Sequence, residues 1–294
     1  MFNHQYDFDI EIPGEVITKE KHDHIFEELL ENKVLIGLCG YGKSGKDTIA
    51  KTFIDNYDFH RVAFADNIKI EMNKHLKKSV LDDLMGNREN YKSNSGYFDP
   101  EAYSRFYNRN YTIDDIDFKT ENLDLKKILR PYIIWYGEKL REINGPYYWV
   151  NKAFEIDASG YDKIILSDVR RVKELEVFEN SSSLKKRREE MFLHAGAISE
   201  MPNTKSKNYS SLLFYVSQLG LADSDALTHE CIRIAQEKWL FDYNFFLDPE
   251  IPEGKDYRKK AMNYQIKKVV DKFGISKPDK TLNFPGKQTS ILDA

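Results

Sequence analysis

Val34-Leu35-Ile36-Gly37-Leu38-Cys39 runs directly into Gly40-Tyr41-Gly42-Lys43-Ser44-Gly45-Lys46-Asp47-Thr48, and the reading of this junction decides the fold. An apolar run of strand length ends in a glycine-rich turn, and helical spacing follows over about Lys46–Asn56. Strand, glycine loop and helix in that order are the layout of a phosphate-binding loop. Glycines let successive backbone N–H groups turn toward one point, and the helix start adds its positive dipole end. Lys46 places a charge on the outer phosphates of a nucleoside triphosphate. The general pattern has a hydroxyl straight after the lysine to hold Mg²⁺. Here Asp47 takes that slot and Thr48 follows. Asp47 can serve the cation directly or through water, since Mg²⁺ prefers oxygen ligands and keeps several waters. It can equally orient an incoming acceptor phosphate.

On both sides of this loop, strand and helix patterns alternate. Strands are predicted at Val34–Cys39, Arg61–Phe64, Asp162–Ser167, Glu190–Ala195 and Tyr243–Leu247. Helical spacing covers Asn67–Lys78, Leu125–Ile143, Tyr147–Glu155, Val172–Glu179, a piece around Ser211–Leu219, Thr228–Trp239 and Arg258–Phe273. Such alternation predicts an α/β fold with a parallel sheet covered on both faces. The loop then lies at the carboxyl edge of the sheet, where ligands bind, and Asp168 emerges on the same edge. Residues 1–32 read as a polar, acidic extension with a short helix at Lys19–Asn32. Residues 33–250 read as the core domain built round the phosphate-binding loop, with an uneven insertion at about 79–128 rich in Asn, Tyr and charge. Residues 251–294 read as a basic amphipathic helix and a tail.

The bulk composition narrows the function classes. A net charge of −4 from 44 basic and 48 acidic residues gives no global field for nucleic acid or membrane. Two cysteines, Cys39 and Cys231, make neither a disulfide framework nor a zinc site. With no signal peptide, this usage fits a reducing cytoplasm. No stretch approaches 18 consecutive apolar residues, so no membrane span is predicted.

Three further clusters carry chemistry. In Ile164-Ile165-Leu166-Ser167-Asp168-Val169-Arg170, a carboxylate ends an apolar strand where a Mg²⁺ partner is placed in such proteins. Asp168 also suits a helix N-cap. Arg170 brings a planar fork to phosphate oxygens, or makes a surface ion pair. In Leu129–Arg141, the residues Arg130, Gly137 and Arg141 recur at helical spacing and can share a face suited to an acceptor phosphate. Trp149 offers a flat surface for a base, or a core filler. In Phe64-Ala65-Asp66, Asp66 is the N-cap candidate of the next helix, with a place near an acceptor nucleotide as the other reading.

Taken together, Ser44-Gly45-Lys46-Asp47-Thr48, Phe64-Ala65-Asp66 before a lysine-bearing helix (Lys69), Arg130…Gly137…Arg141, Tyr148-Trp149-Val150, Asp168-Val169-Arg170 and Thr228-His229-Glu230 resemble, in this order, a bacteriophage-type deoxynucleoside monophosphate kinase. The resemblance runs from about Lys33 to Leu247. It implies a three-layer α/β/α fold of the P-loop nucleoside-kinase type, with a five-stranded parallel sheet in the order 2-3-1-4-5. It also implies transfer of the γ-phosphoryl of ATP to a deoxynucleoside monophosphate, with Mg²⁺ as the cation. By this resemblance Gly40, Gly42, Lys43, Ser44, Gly45, Lys46, Asp47 and Thr48 serve ATP, and Asp47, Thr48 and Asp168 serve the metal. Lys46, Asp47, Arg130, Asp168 and Arg170 carry the transfer. Asp66, Lys69, Arg130, Gly137, Arg141 and Trp149 border the acceptor. The chain departs from the family at Ile134, where a glutamine is usual, at Glu138, where a threonine is usual, and at Pro131. The partner implied is a small nucleotide, without membrane or direct nucleic-acid contact, and a homodimer is compatible with it. The basic run Lys185-Lys186-Arg187-Arg188 and the loop 196–222 are lid candidates. Two other readings use the same loop: a kinase for another phosphorylated acceptor such as dephospho-coenzyme A, and a nucleotide-binding ATPase or switch.

Overall fold

The computed structural model describes residues 8, 16–20, 22–23, 30–86, 99–155, 160–179, 210–218, 226–247 and 254–277. Its centre is β1 (Val34–Cys39), which leads through the glycine loop into α1 (Lys46–Tyr57). Then come β2 (His60–Val62), α2 (Phe64–His75), α3 (Lys77–Gly86), α4 (Pro100–Tyr107) and α5 (Leu123–Asn144). The chain continues through α6 (Tyr148–Ala153), β3 (Lys163–Val169), α7 (Val172–Glu179), β4 (Ser210–Gln218), α8 (Ala226–Glu237), β5 (Phe241–Leu247) and α9 (Gly254–Phe273). All strand pairs are parallel, and the sheet order is β2-β3-β1-β4-β5.

Burial on both faces explains the continuous apolar character of β1. Leu35 and Cys39 turn to one face with Ile164, Leu166 and Leu213, where they meet α6, α7 and α8 through Val150, Leu175, Phe178, Cys231 and Ile232. Ile36 and Leu38 turn to the other, with Ile165, Phe214 and Phe245, where they meet α1 and α9 through Ile49, Phe53, Ile266 and Val269. The result is three layers. A second apolar core lies among the helices α2 to α6 and is filled by Met72, Leu84, Phe106, Tyr132, Tyr136 and Trp149.

Several sequence expectations change. The piece around Ser211–Leu219, read as helical, falls on the strand β4, which spans Ser210–Gln218. Its run Leu212-Leu213-Phe214-Tyr215-Val216 is buried between β1 and β5, and a short apolar run buried on both sides has no period that separates helix from strand. The expected strand Glu190–Ala195 lies outside the described residues, as do Lys185–Arg188 and most of the loop 196–222. Phe64 starts α2 instead of ending β2. The described parts of the 79–128 segment, 79–86 and 99–128, include helix. α3 extends to Gly86, and α4 is started by Asp99, whose carboxylate accepts from the Glu101 and Ala102 N–H groups ahead of Pro100 at the first position. α5 runs unbroken through Pro131 and is capped by Asn122.

No helix among the described residues is long and apolar enough to cross a membrane. Cys39 and Cys231, far apart in sequence, are both buried, with their sulfurs 3.9 Å apart. The hydrogen bond with Cys39, together with burial, pushes the Cys231 thiol up.

Candidate functional site

Three adjacent parallel strands open into one cleft of about 380 Å³ at the carboxyl edge. β1 supplies the loop from Gly42 to Thr48, β3 supplies Ser167, Asp168 and Arg170, and β2 with the start of α2 supplies Arg61, Asp66 and Lys69. This edge, between strands whose connections leave in opposite directions, is where open α/β sheets bind ligands.

The loop conformation depends on glycine at two places. Gly40 has φ +155°, and a Cβ there would stand 2.1 Å from the Val216 carbonyl oxygen of β4. Gly45 has φ +100° at the N-terminus of α1, and a Cβ there would meet Leu247 at 2.5 Å. A Cβ on Gly42 meets nothing within 4 Å, so the motif's middle glycine is not sterically required. Lys43 adopts φ +66°, a costly conformation for a non-glycine residue and one found at ligand-binding turns.

Lys46 reaches back along the loop. Its ammonium donates to the Gly40 carbonyl at 2.6 Å and to the Tyr41 carbonyl at 2.8 Å, and lies 3.8 Å from Asp168 Oδ1. Burial lowers its pKa against the opposing pull of Asp168. Arg170 Nε donates to the same Asp168 oxygen at 2.6 Å, so this carboxylate joins the loop lysine to the arginine. Tyr41 OH hydrogen-bonds with His229 Nδ1 at 3.1 Å, which ties the loop to α8.

A bulge aims Asp168 at the cleft. Gly37 pairs with Leu166 but Cys39 with Val169, so Ser167 and Asp168 stand opposite the single residue Leu38. Val169 thereby takes the place beside Ile164 and Leu166 in the core that Asp168 would otherwise occupy. The buried hydroxyls of Ser44 and Ser167 both belong to cleft-lining residues and have no hydrogen-bond partner. Such orphaned groups carry a desolvation cost that a ligand can relieve.

On the far wall, Asp66 accepts from Arg61 at 2.7 Å and pairs with Lys69 at 3.5 Å. The N-cap of α2 is Ala63, so Asp66 is not the cap; it sits in the first turn and orients two cations. Arg61 was not among the sequence candidates, because a lone arginine in the middle of a three-residue strand carries no motif. Five cationic side chains and three carboxylates line the cleft, a positive balance in a chain of net charge −4.

The α5 candidates lie elsewhere. Among the described residues, the cleft walls do not include Arg130, Gly137, Arg141 or Trp149. Trp149 is 1 % exposed and donates its Nε1–H to the Gly137 carbonyl at 2.9 Å, so it is a core side chain without a face for a base. A Cβ on Gly137 would meet Ile68 at 3.0 Å, which assigns this glycine to close packing of α5 on α2. Arg141 is partly buried and bonds Glu138 at 3.1 Å, and Arg171 bonds the same carboxylate oxygen. Burial holds the Arg141 pKa below its ordinary value. Arg130 is exposed, eleven positions and so about 16 Å along the axis from Arg141. One phosphate cannot bind both in this helix.

The donor set fits a hydrated Mg²⁺. Asp47, Thr48 and Asp168 all line the cleft. No group of three or more His, Cys, Asp or Glu converges among the described residues, so an ion here would be held by one or two carboxylates, a hydroxyl, water and phosphate oxygens.

Searches against protein-family models and against curated proteins found no match to this chain.

Proposed function

We propose that the chain is an ATP-dependent deoxynucleoside monophosphate kinase. The observation that carries this reading is the cleft shared by three neighbouring strands, with a phosphate-type loop on one wall and a second cationic pair, Arg61 and Lys69, on the other. Phosphoryl transfer needs positioning and charge neutralisation more than covalent help, and no side-chain nucleophile is required. The loop amides and Lys46 hold the outer phosphates of ATP. Arg170, steadied by Asp168, presents its guanidinium to the transferred group. Arg61 and Lys69, oriented by Asp66, receive the phosphate of the acceptor. Mg²⁺, when bound through Asp47, Thr48 and Asp168, supplies neutralisation of the charge on the phosphate oxygens. Purified protein incubated with ATP, Mg²⁺ and each of the four deoxynucleoside monophosphates should yield ADP and the matching diphosphate. No ADP with any of them would refute the reading.

The burial of Trp149 favours keeping a second reading, a P-loop kinase for a different phosphorylated acceptor, since the base-stacking surface expected of that residue is absent. ADP formation with dephospho-coenzyme A and with no deoxynucleotide would select it.

A further inference from the structure

Glu174, in the first turn of α7, lies outside the roles assigned above. It is 5 % exposed, and one of its oxygens, Oε2, accepts from the Arg170 N–H at 2.8 Å and the Arg171 N–H at 3.0 Å. These two amides form the turn between β3 and α7. The guanidiniums of the two residues point to different places. Arg170 lines the cleft on Asp168, and Arg171 bonds Glu138 of α5, which also holds Arg141. A single buried oxygen therefore fixes the backbone from which both arginines project.

We propose that Glu174 is a positioning residue that sets Arg170 in the cleft and couples that placement, through Arg171 and Glu138, to helix α5. The inference rests on the phosphoryl-transfer reading of the cleft. Burial raises the Glu174 pKa to about 7, against the pull of the two amides and of Arg141 and Arg171. Cys231 on α8 faces it as well, and Glu138 and Asp168 hold the guanidiniums of Arg171 and Arg170. The two amide bonds need an acceptor oxygen at the end of a side chain of glutamate length, and a neutral carbonyl serves as well as a carboxylate.

Glu174→Asp withdraws the acceptor by one carbon and keeps the charge; Glu174→Gln keeps the reach and removes the charge. Hydrogen exchange at the Arg170 and Arg171 amides, which is independent of any activity, should speed up at least about tenfold in Glu174→Asp and stay within about threefold in Glu174→Gln. Calorimetry with Mg-ATP should show Glu174→Asp weakened about as much as Arg170→Ala, with the double variant no weaker than Arg170→Ala alone. Unchanged exchange in Glu174→Asp overturns the proposal. So do losses that multiply in the double variant, which mean that Glu174 acts independently of Arg170. A Gln variant as exposed to exchange as the Asp variant also overturns it, because the effect then belongs to the charge and not to the bonds. A wild-type protein that transfers no phosphoryl group refutes the kinase reading but leaves the exchange result to decide the role of Glu174.

Discussion

Lys46→Ala tests the centre of the proposed mechanism. The ammonium stands 3.8 Å from Asp168 Oδ1, between the loop carbonyls of Gly40 and Tyr41. A phosphate oxygen at a similar distance gains about 4 kcal/mol from one unit charge at the effective dielectric of partly buried sites, which is about a thousandfold in rate. The fold should suffer less. Removing the side chain leaves two carbonyls without their donor, a loss of about 1–3 kcal/mol each, but it also relieves the desolvation of a nearly buried ammonium, a term of similar size and opposite sign. A coupled assay of ADP release should therefore show kcat/KM down about a thousandfold, while the melting temperature moves by only a few degrees. Lys46→Arg should not rescue, because a planar fork does not replace a point charge seated between two carbonyls. More than a tenth of wild-type kcat/KM in a folded Lys46→Ala protein would remove the loop lysine from the chemistry.

Gly40→Ala drives a methyl group into the Val216 carbonyl at 2.1 Å and should lower the melting temperature by about 10 °C or abolish soluble expression. Trp149→Phe strips the Gly137 carbonyl of its donor and should cost about 2 kcal/mol in chemical denaturation, with the acceptor KM unchanged within about twofold; a selective rise in that KM would restore the residue to base binding. Arg61→Ala should raise KM for the acceptor more than for ATP, and equal effects would take this wall of the cleft out of acceptor binding. Because the Glu174 pKa is raised in the folded state to about 7 from an ordinary 4.5, the unfolded chain ionises there first, so this residue's contribution to stability declines as pH rises from about 4.5 to 7. Melting curves across that range should show Glu174→Gln gaining on wild type with rising pH, and a constant gap would contradict this.

The strand–loop–helix junction was legible because three independent signals coincide there: an apolar run buried on both faces, glycines at positions of positive φ, and a lysine at the helix start. β1 matches its sequence reading to the residue, and α7 does as well. The sheet order followed from the family resemblance, not from pairing signals in the strands themselves. Asp168 was placed on the correct edge, but the bulge that aims it was invisible, since a bulge is a property of two paired strands and Leu38 gives no hint of it. β4 was misread because Leu212 to Val216 carry no period. Trp149 and Gly137 were read for function and turn out to serve packing, because the sequence shows helical spacing but not which face meets a neighbouring helix. The sharing of Glu138 between Arg141 and Arg171 is a tertiary fact of the same kind.

The position of β1 in the sheet has a consequence for synthesis. Its two neighbours, β3 at Lys163–Val169 and β4 at Ser210–Gln218, are translated long after it. At ordinary elongation rates the Val34–Cys39 segment emerges roughly ten seconds before its first partner exists. During that interval a six-residue apolar β-former stands unpaired, and the nucleotide pocket can form only after the downstream strands have left the ribosome.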